Sequence, residues 1–267
     1  MTETGSSDKL VNYHTDAGVA RIELCNPPAN CYSQAMMRQL DEAILSARFD
    51  DDVHVIVLQG AGEKFFCAGA DINDLNDVSP RYKYYFCLHA NETLMRLEQT
   101  PKLTIAALNG HCVGGGLEVA LACDFRVAKR DSGKLGLPEV HLGVLPGTGG
   151  TQRLARLIGK SRALEWMLEG NNVSFDDGLA AGIVTHVWDA AEFETRVTEY
   201  ARGFCPPAKA SKAVGLIKRS VQTGGELSLA DGLALERELQ QQLFQSGDAK
   251  EGLRAYVEKR SPQFRGD

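Results

Sequence analysis

The 267-residue chain has no stretch approaching the roughly 18 consecutive apolar residues that a membrane-spanning helix needs. It also lacks paired cysteines. Seven are scattered at Cys25, Cys31, Cys67, Cys87, Cys112, Cys123 and Cys205, an odd number with no Cys-x-x-Cys spacing. That pattern excludes a disulfide framework and a cysteine zinc site, and fits buried thiols in a reducing compartment. Six histidines are spread thinly, without His-Glu-x-x-His or any cluster at ligand spacing, so no metal is expected. His111 and His141 adjoin the motifs below, but a structural role accounts for both. No Gly-x-Ser-x-Gly elbow occurs, which removes a serine hydrolase of the α/β type. With a net charge of −6 and no basic stripe, the chain does not look like a general nucleic-acid binder. The first ten residues, MTETGSSDKL, are polar and show no basic-then-apolar or Arg-rich layout, so the expected location is cytoplasmic.

What is present is an ordinary globular balance, 43% hydrophobic and 24% charged, with length enough for one large domain or one domain and an appendage. Residues 19–24 (VARIEL) alternate as a half-buried strand does, and Pro27-Pro28 ends it. Residues 34–48 place Met36, Met37, Leu40, Ile44 and Leu45 at helical spacing. Residues 54–58 (HVIVL) form a short buried strand closed by Gly60-Ala61-Gly62. The order recurs as strand 103–108, helix 116–123 and strand 125–128, which argues a layered α/β fold. After Pro206-Pro207 only helical periodicity remains, over 208–221, 229–245 and about 248–259.

The most informative passage is residues 109–124, NGHCVGGGLEVALACD. Three glycines separate a strand end from an apolar helix, where unpaired N–H groups and the positive end of the helix dipole suit a negative oxygen. A plain tight turn needs the same glycines. Glu118 alters the balance, because its neighbours Leu117, Val119, Ala120 and Leu121 all prefer burial. A carboxylate in that company is paired with a cation or used in chemistry, and burial raises its pKa toward a value useful for proton transfer. Glu139 lies in GLPEVHLGVLPGTGG, flanked by apolar residues and followed by Gly147-Thr148-Gly149-Gly150. That glycine run matches neither Gly-x-Gly-x-x-Gly nor a Walker A loop, so it reads as a loop feeding a helix from about Thr151. In residues 66–72, FCAGADI, small residues after a strand leave room for backbone N–H groups to point outward, with Asp71 placed to cap the next helix; by itself the segment is unremarkable.

FCAGADI at 66–72, NGHCVGGGLEVALACD at 109–124, LGLPEVHLGVLPGTGGTQRL at 135–154 and EGLRAYVEKR at 251–260 together resemble the crotonase (enoyl-CoA hydratase/isomerase) family, and the likeness runs from about Val19 to the C-terminus. The resemblance implies an α/β fold, the ClpP/crotonase-like spiral of ββα units with a C-terminal helical oligomerisation region. Residues 1–205 would form the core with the active site, and 206–267 the trimerisation region. It implies an enoyl-CoA hydratase of fatty-acid β-oxidation, in which the N–H groups of Ala68 and Gly115 form an oxyanion hole for the thioester carbonyl. Glu118 would then activate water and Glu139 would deliver a proton to C2. The substrate contacts it implies are Asn30, Cys31, Ala68, Ala70, Asp71, Ile72, Gly115 and Lys259. No cofactor is implied beyond the coenzyme A carried by the substrate, and a homotrimer or a hexamer of paired trimers is the expected assembly. The chain departs from the pattern at Pro28, where relatives often place a lysine, and at Gln240, where they place an aromatic residue. The aromatic stretch 80–97 (PRYKYYFCLHANETLMRL) would shape the acyl pocket, and an amphipathic helix packed on the core explains it equally well. Relatives that isomerise double bonds, cleave C–C bonds or hydrolyse thioesters share the hole, but the glutamate pair favours hydration. Other relatives bind RNA through a lysine-rich helix. The corresponding residues 34–52 hold two arginines, no lysine and five acidic residues.

Overall fold

A computed structural model describes residues 9–267. The polar N-terminal segment discussed above therefore lies, up to position 8, outside the described residues. The chain opens with strands β1 (Val11–Asp16) and β2 (Val19–Leu24), then helix α1 (Gln34–Phe49). Next come β3 (Val55–Gly60), β4 (Phe65–Cys67), α2 (Ile72–Leu75) and α3 (Pro80–Gln99). The motif region holds β5 (Leu103–Leu108), β6 (His111–Val113), α4 (Gly115–Leu121), β7 (Phe125–Lys129) and β8 (Lys134–Gly136). A 3-10 turn, Glu139–Leu142, leads to α5 (Gly150–Ile158), α6 (Lys160–Glu169), β9 (Val173–Ser174) and α7 (Phe175–Ala180). The remainder is β10 (His186–Trp188), α8 (Phe193–Arg202), α9 (Ser211–Gly224), α10 (Leu229–Phe244) and α11 (Gly247–Glu258).

The strands divide between two sheets. The larger has the order β1-β2-β3-β5-β7-β10, and the smaller β4-β6-β8-β9. Within the larger sheet only β1 and β2 are antiparallel; β2 to β10 run parallel. Successive pairs β3/β4, β5/β6 and β7/β8 each give one strand to each sheet before the chain turns into helix, which is the ββα spiral. The register explains the unbroken apolar runs. Ile56, Leu58, Ala106 and Leu108 face one core with α1, α3 and α4, while Val55, Val57, Ile105 and Ala107 face a second core with α8. Both faces of the parallel sheet are covered there, so these central strand positions are apolar on either side.

Serine caps start two of the helices that fill the first core. Ser33 accepts the Met36 N–H at 3.2 Å to start α1, and Ser79 accepts the Tyr82 N–H at 3.1 Å ahead of Pro80 to start α3. The first of the cores is then filled from α1 by Met36, Met37, Leu40, Ile44 and Ala47. In α3, Phe86, Ala90, Leu94 and Leu97 are buried while Tyr82, Tyr84 and Tyr85 stay exposed, so the helix is amphipathic. No helix among the described residues is long and apolar enough to cross a membrane.

A buried ion pair ties helix α9 to the core. Lys218 of α9 lies 2.9 Å from Asp124, with side-chain exposures of 5% and 10%. Asp124 also accepts the Thr104 N–H at 2.7 Å, the Thr104 hydroxyl at 2.9 Å and the Gln222 amide at 2.8 Å. Asp124→Ala should therefore cost about 3–5 kcal/mol of stability, because it strands a buried ammonium and three further donors. Urea unfolding of the variant checks this; a midpoint equal to wild type would show that the pair is not holding α9.

Candidate active site

The structure brings Glu118, Glu139, Gly115 and the 68–70 segment together at the N-terminus of α4. The bend into that helix falls at Gly114, and the helix N-terminus has no side-chain cap. The 68–70 segment crosses this open end. At Gly69, with φ +97°, an added Cβ would lie 2.9 Å from the Gly115 nitrogen. Tyr32 and Ala70 form an isolated parallel bridge, in which the Tyr32 N–H donates to Gly69 O at 2.9 Å and the Asp71 N–H donates to Tyr32 O at 3.0 Å. Such a bridge uses the N–H and C=O of the residues flanking Ala70 and leaves the Ala70 N–H on the other side.

This overturns one expectation. The Ala68 N–H, expected to line the oxyanion hole, donates to Ala29 O at 3.0 Å. It is held in loop-to-loop pairing and is not available to a substrate oxygen. The N–H groups of Ala70 and Gly115 donate to no acceptor among the described residues. Two unpaired backbone donors beside a helix N-terminus, with the helix dipole behind one of them, form an anion cradle.

Glu118 is 2% exposed. Among the described residues it has no direct ion-pair partner; Arg153, whose charge acts on it, is bound to Glu98 at 2.9 Å. Instead its Oε1 accepts the N–H groups of Thr148 at 2.8 Å and Gly150 at 2.7 Å, and its Oε2 accepts the Thr148 hydroxyl. The loop Gly147-Thr148-Gly149-Gly150 is thus the clamp on Glu118, a role that its glycines alone did not announce. Burial raises the Glu118 pKa, and the three hydrogen bonds pull against that rise.

Glu139 sits at the start of the 3-10 turn after Pro138, half-buried. Its Oε1 lies 3.1 Å from where a side chain on Gly114 would begin, and its Oε2 is buried with no hydrogen-bond partner among the described residues. Loss of solvent, with a further push from the Glu118 charge, raises its pKa to about 7. The two carboxyls therefore have different surroundings. One is gripped by donors that favour its ionised form, and the other has an orphan oxygen that favours a proton.

The remaining expected contacts separate. Asn30 is buried, and its amide donates to Ala61 O at 3.0 Å and Phe65 O at 2.9 Å while its oxygen accepts the Asn26 N–H at 3.1 Å. Its side chain braces the loops and is not available to a ligand. Cys31 is half-buried near Asp71, and Ile72 is 60% exposed at the rim. Lys259 is exposed at the C-terminus of α11, with φ +55°, and no described contact ties it to the glutamates. His111 accepts the Lys134 N–H at 3.2 Å and packs on Phe65, a structural role. No group of three or more His, Cys, Asp or Glu among the described residues could hold a metal. Two further residues belong to the site, Tyr32 and Thr148, whose hydroxyls meet at 3.2 Å across 116 positions. Thr148 stands in the glycine run quoted above and Tyr32 directly follows Cys31, but neither carries a sequence signal of its own.

A parallel spiral of ββα units with a carboxylate pair beside an amide cradle defines a crotonase-fold enzyme. Residues 14–267 match the family model described as enoyl-CoA hydratase/isomerase, and the chain belongs to that family. It is 35% identical to the short-chain-enoyl-CoA hydratase of Clostridium acetobutylicum, over 91% of this chain and 92% of that one. It is 38% identical to the mitochondrial enoyl-CoA hydratase of Pongo abelii, over 92% of this chain and 83% of that one. Among solved structures, an enoyl-CoA hydratase of Geobacillus kaustophilus HTA426 superposes with a TM-score of 0.94 at 45% identity, covering 98% of both chains.

Proposed function

We propose that the protein hydrates 2-enoyl-CoA thioesters to 3-hydroxyacyl-CoA. The observation that carries this reading is the unlike pair of carboxyls beside the Ala70 and Gly115 amides. In the proposed step Glu118 takes a proton from water as the water oxygen bonds to C3. Electrons move through the double bond to the thioester oxygen, which the two N–H groups stabilise, and Glu139 gives its proton to C2. Negative charge develops on that oxygen only as C3 is attacked, so the cradle favours the transition state over the bound substrate. Afterwards Glu118 holds the extra proton and Glu139 lacks one, and exchange within the pair restores the resting state. The coenzyme A arrives with the substrate and passes along the 68–72 segment and the Cys31 rim.

Incubation with crotonyl-CoA and identification of the product tests the reading. A 3-hydroxyacyl-CoA supports it; a shifted alkene or a shortened acyl chain in its place replaces it with an isomerase or a C–C lyase. The same reading includes a homotrimer or paired trimers. Val221, Tyr256 and Val257, 70%, 86% and 79% exposed on α9 and α11, are large apolar side chains suited to burial between copies. Lys259 would then serve the ligand of a neighbouring copy, and light scattering of the purified protein reads the copy number.

The pH dependence follows from the donor. A carboxyl with a pKa of about 7 is protonated below that value and loses its proton as the pH rises through it. The acid is then missing, so kcat/KM should fall about tenfold per pH unit on the alkaline side. The limb belongs to the coupled pair and reports the free enzyme. A profile flat from neutrality to the alkaline end would show that Glu139 is not the proton donor.

A further inference from the structure

The mechanism above makes no use of the Tyr32 side chain, which is one of the most deeply placed polar groups in the molecule. Tyr32 is 3% exposed, and its ring stacks on Phe86 with centroids 5.9 Å apart and planes 11° from parallel. That stack aims the hydroxyl at the floor of the site. An added Cβ on Gly115 would collide with the Tyr32 oxygen, so the hydroxyl rests against the cradle glycine itself. On its other side it is 3.2 Å from Thr148 Oγ1. A buried phenol is costly unless its hydroxyl is bonded, and Thr148 is the partner it finds.

The direction of this bond can be deduced. An ionised Glu118 has no proton to give, so the Thr148 hydroxyl must donate to Oε2. Thr148 has only that one hydroxyl proton. Its oxygen can therefore only accept from Tyr32, and Tyr32 is the donor. The result is a polarised line, Tyr32 O–H to Thr148 O–H to the Glu118 carboxylate, closed by the Thr148 and Gly150 amides on the other oxygen. Each donor in such a line strengthens the next. Tyr32 is kept protonated by its burial and by the Glu118 charge, so it stays a donor across the working range.

We propose that Tyr32 is a positioning residue for Glu118, acting through the Thr148 hydroxyl to fix the carboxylate's orientation and keep it ionised. The proposal deepens the reading of Glu118 as the base toward water and rests on it. Other groups also act on the pair: Arg153 on Glu118, Glu118 and Lys83 on Glu139, and Cys87 from α3 beside both Tyr32 and Glu118. None of these changes when a hydroxyl is removed from Tyr32 or Thr148, so a shift in titration belongs to the line.

The test compares Tyr32→Phe, Thr148→Val, the double variant and Thr148→Ser. Phenylalanine keeps the stack on Phe86, and serine keeps the hydroxyl. Two readouts are taken: the acid limb of the kcat/KM profile for crotonyl-CoA, and the infrared carboxylate band of Glu118 against pH, assigned by difference with Glu118→Gln. Thr148→Val should move both titrations up by about one pH unit, and Tyr32→Phe by about half as much. The double variant should match Thr148→Val alone, because Tyr32 has nothing left to act through. Thr148→Ser should titrate as wild type. A purely packing role would lower kcat without moving either titration, and that result overturns the proposal. So does a Tyr32→Phe shift that adds in full to that of Thr148→Val. If the infrared band moves as expected while the acid limb of the rate does not, the positioning role stands and it is the assignment of Glu118 as base that fails.

Discussion

Glu118→Gln and Glu139→Gln are each expected to lower kcat for hydration of crotonyl-CoA by about 10²–10⁴-fold, with the protein still folded. The losses have different causes. At position 118 a glutamine oxygen can still accept the Thr148 and Gly150 N–H groups, as Oε1 does now at 2.8 and 2.7 Å. Its amide nitrogen would face Thr148 Oγ1, which must then turn its proton elsewhere. The clamp survives, but the side chain can no longer remove a proton from water. At position 139 the orphan Oε2 becomes either an unpaired amide or an unpaired carbonyl, so the packing changes little while the acidic proton is lost. The double variant should fall well short of the product of the two losses, since the residues act on one water and one alkene as a unit. Circular dichroism alongside steady-state rates separates loss of chemistry from loss of fold. A variant that keeps the wild-type rate removes its residue from the mechanism.

Much of this arrangement is legible in the sequence. The apolar runs at 54–58 and 103–108 read as buried strands because both sheet faces are covered, and they are β3 and β5, with β3 starting one residue late at Val55. The helix after the triple glycine begins at Gly115 rather than Gly116 and ends at Leu121. Glu118 could be singled out because its burial follows from its own neighbours. The three C-terminal helices were visible as periodicity, α9 displaced by three residues to Ser211–Gly224.

The rest depended on contacts between distant parts of the chain. Strands β4, β6, β8 and β9 are only two or three residues long, too short for any alternation to register. Neighbouring residues of the 66–72 segment differ only in which way their N–H groups point. Pairing with residues 29–32 decides that direction, committing Ala68 to Ala29 and leaving Ala70 open. The family motif located the segment, but the choice within it, two residues further on, is tertiary. Asn30 is the same kind of case, since the carbonyls its amide braces lie 31 and 35 positions away.

Gly69→Ala is the second substitution with a large expected effect, and it isolates the amide cradle from the carboxyls. Gly69 has φ +97°, and its added methyl would lie 2.9 Å from the Gly115 nitrogen and 3.4 Å from Val113 O. The methyl would occupy the approach to one of the two donors and push the segment carrying the other away from α4. Loss of a single donor of this kind reduces kcat by about 10²–10³-fold. Backbone strain adds a stability loss of about 1–3 kcal/mol, which by itself lowers no rate constant per folded molecule. Gly62→Ala supplies the control. Gly62 has φ +77° and nothing within 4 Å of an added Cβ, so it shares the strain without the collision. Thermal unfolding should show both variants destabilised, while only Gly69→Ala loses kcat. Equal rates in the two would mean that the Ala70 and Gly115 amides do not hold the reacting oxygen, whatever the glutamates contribute.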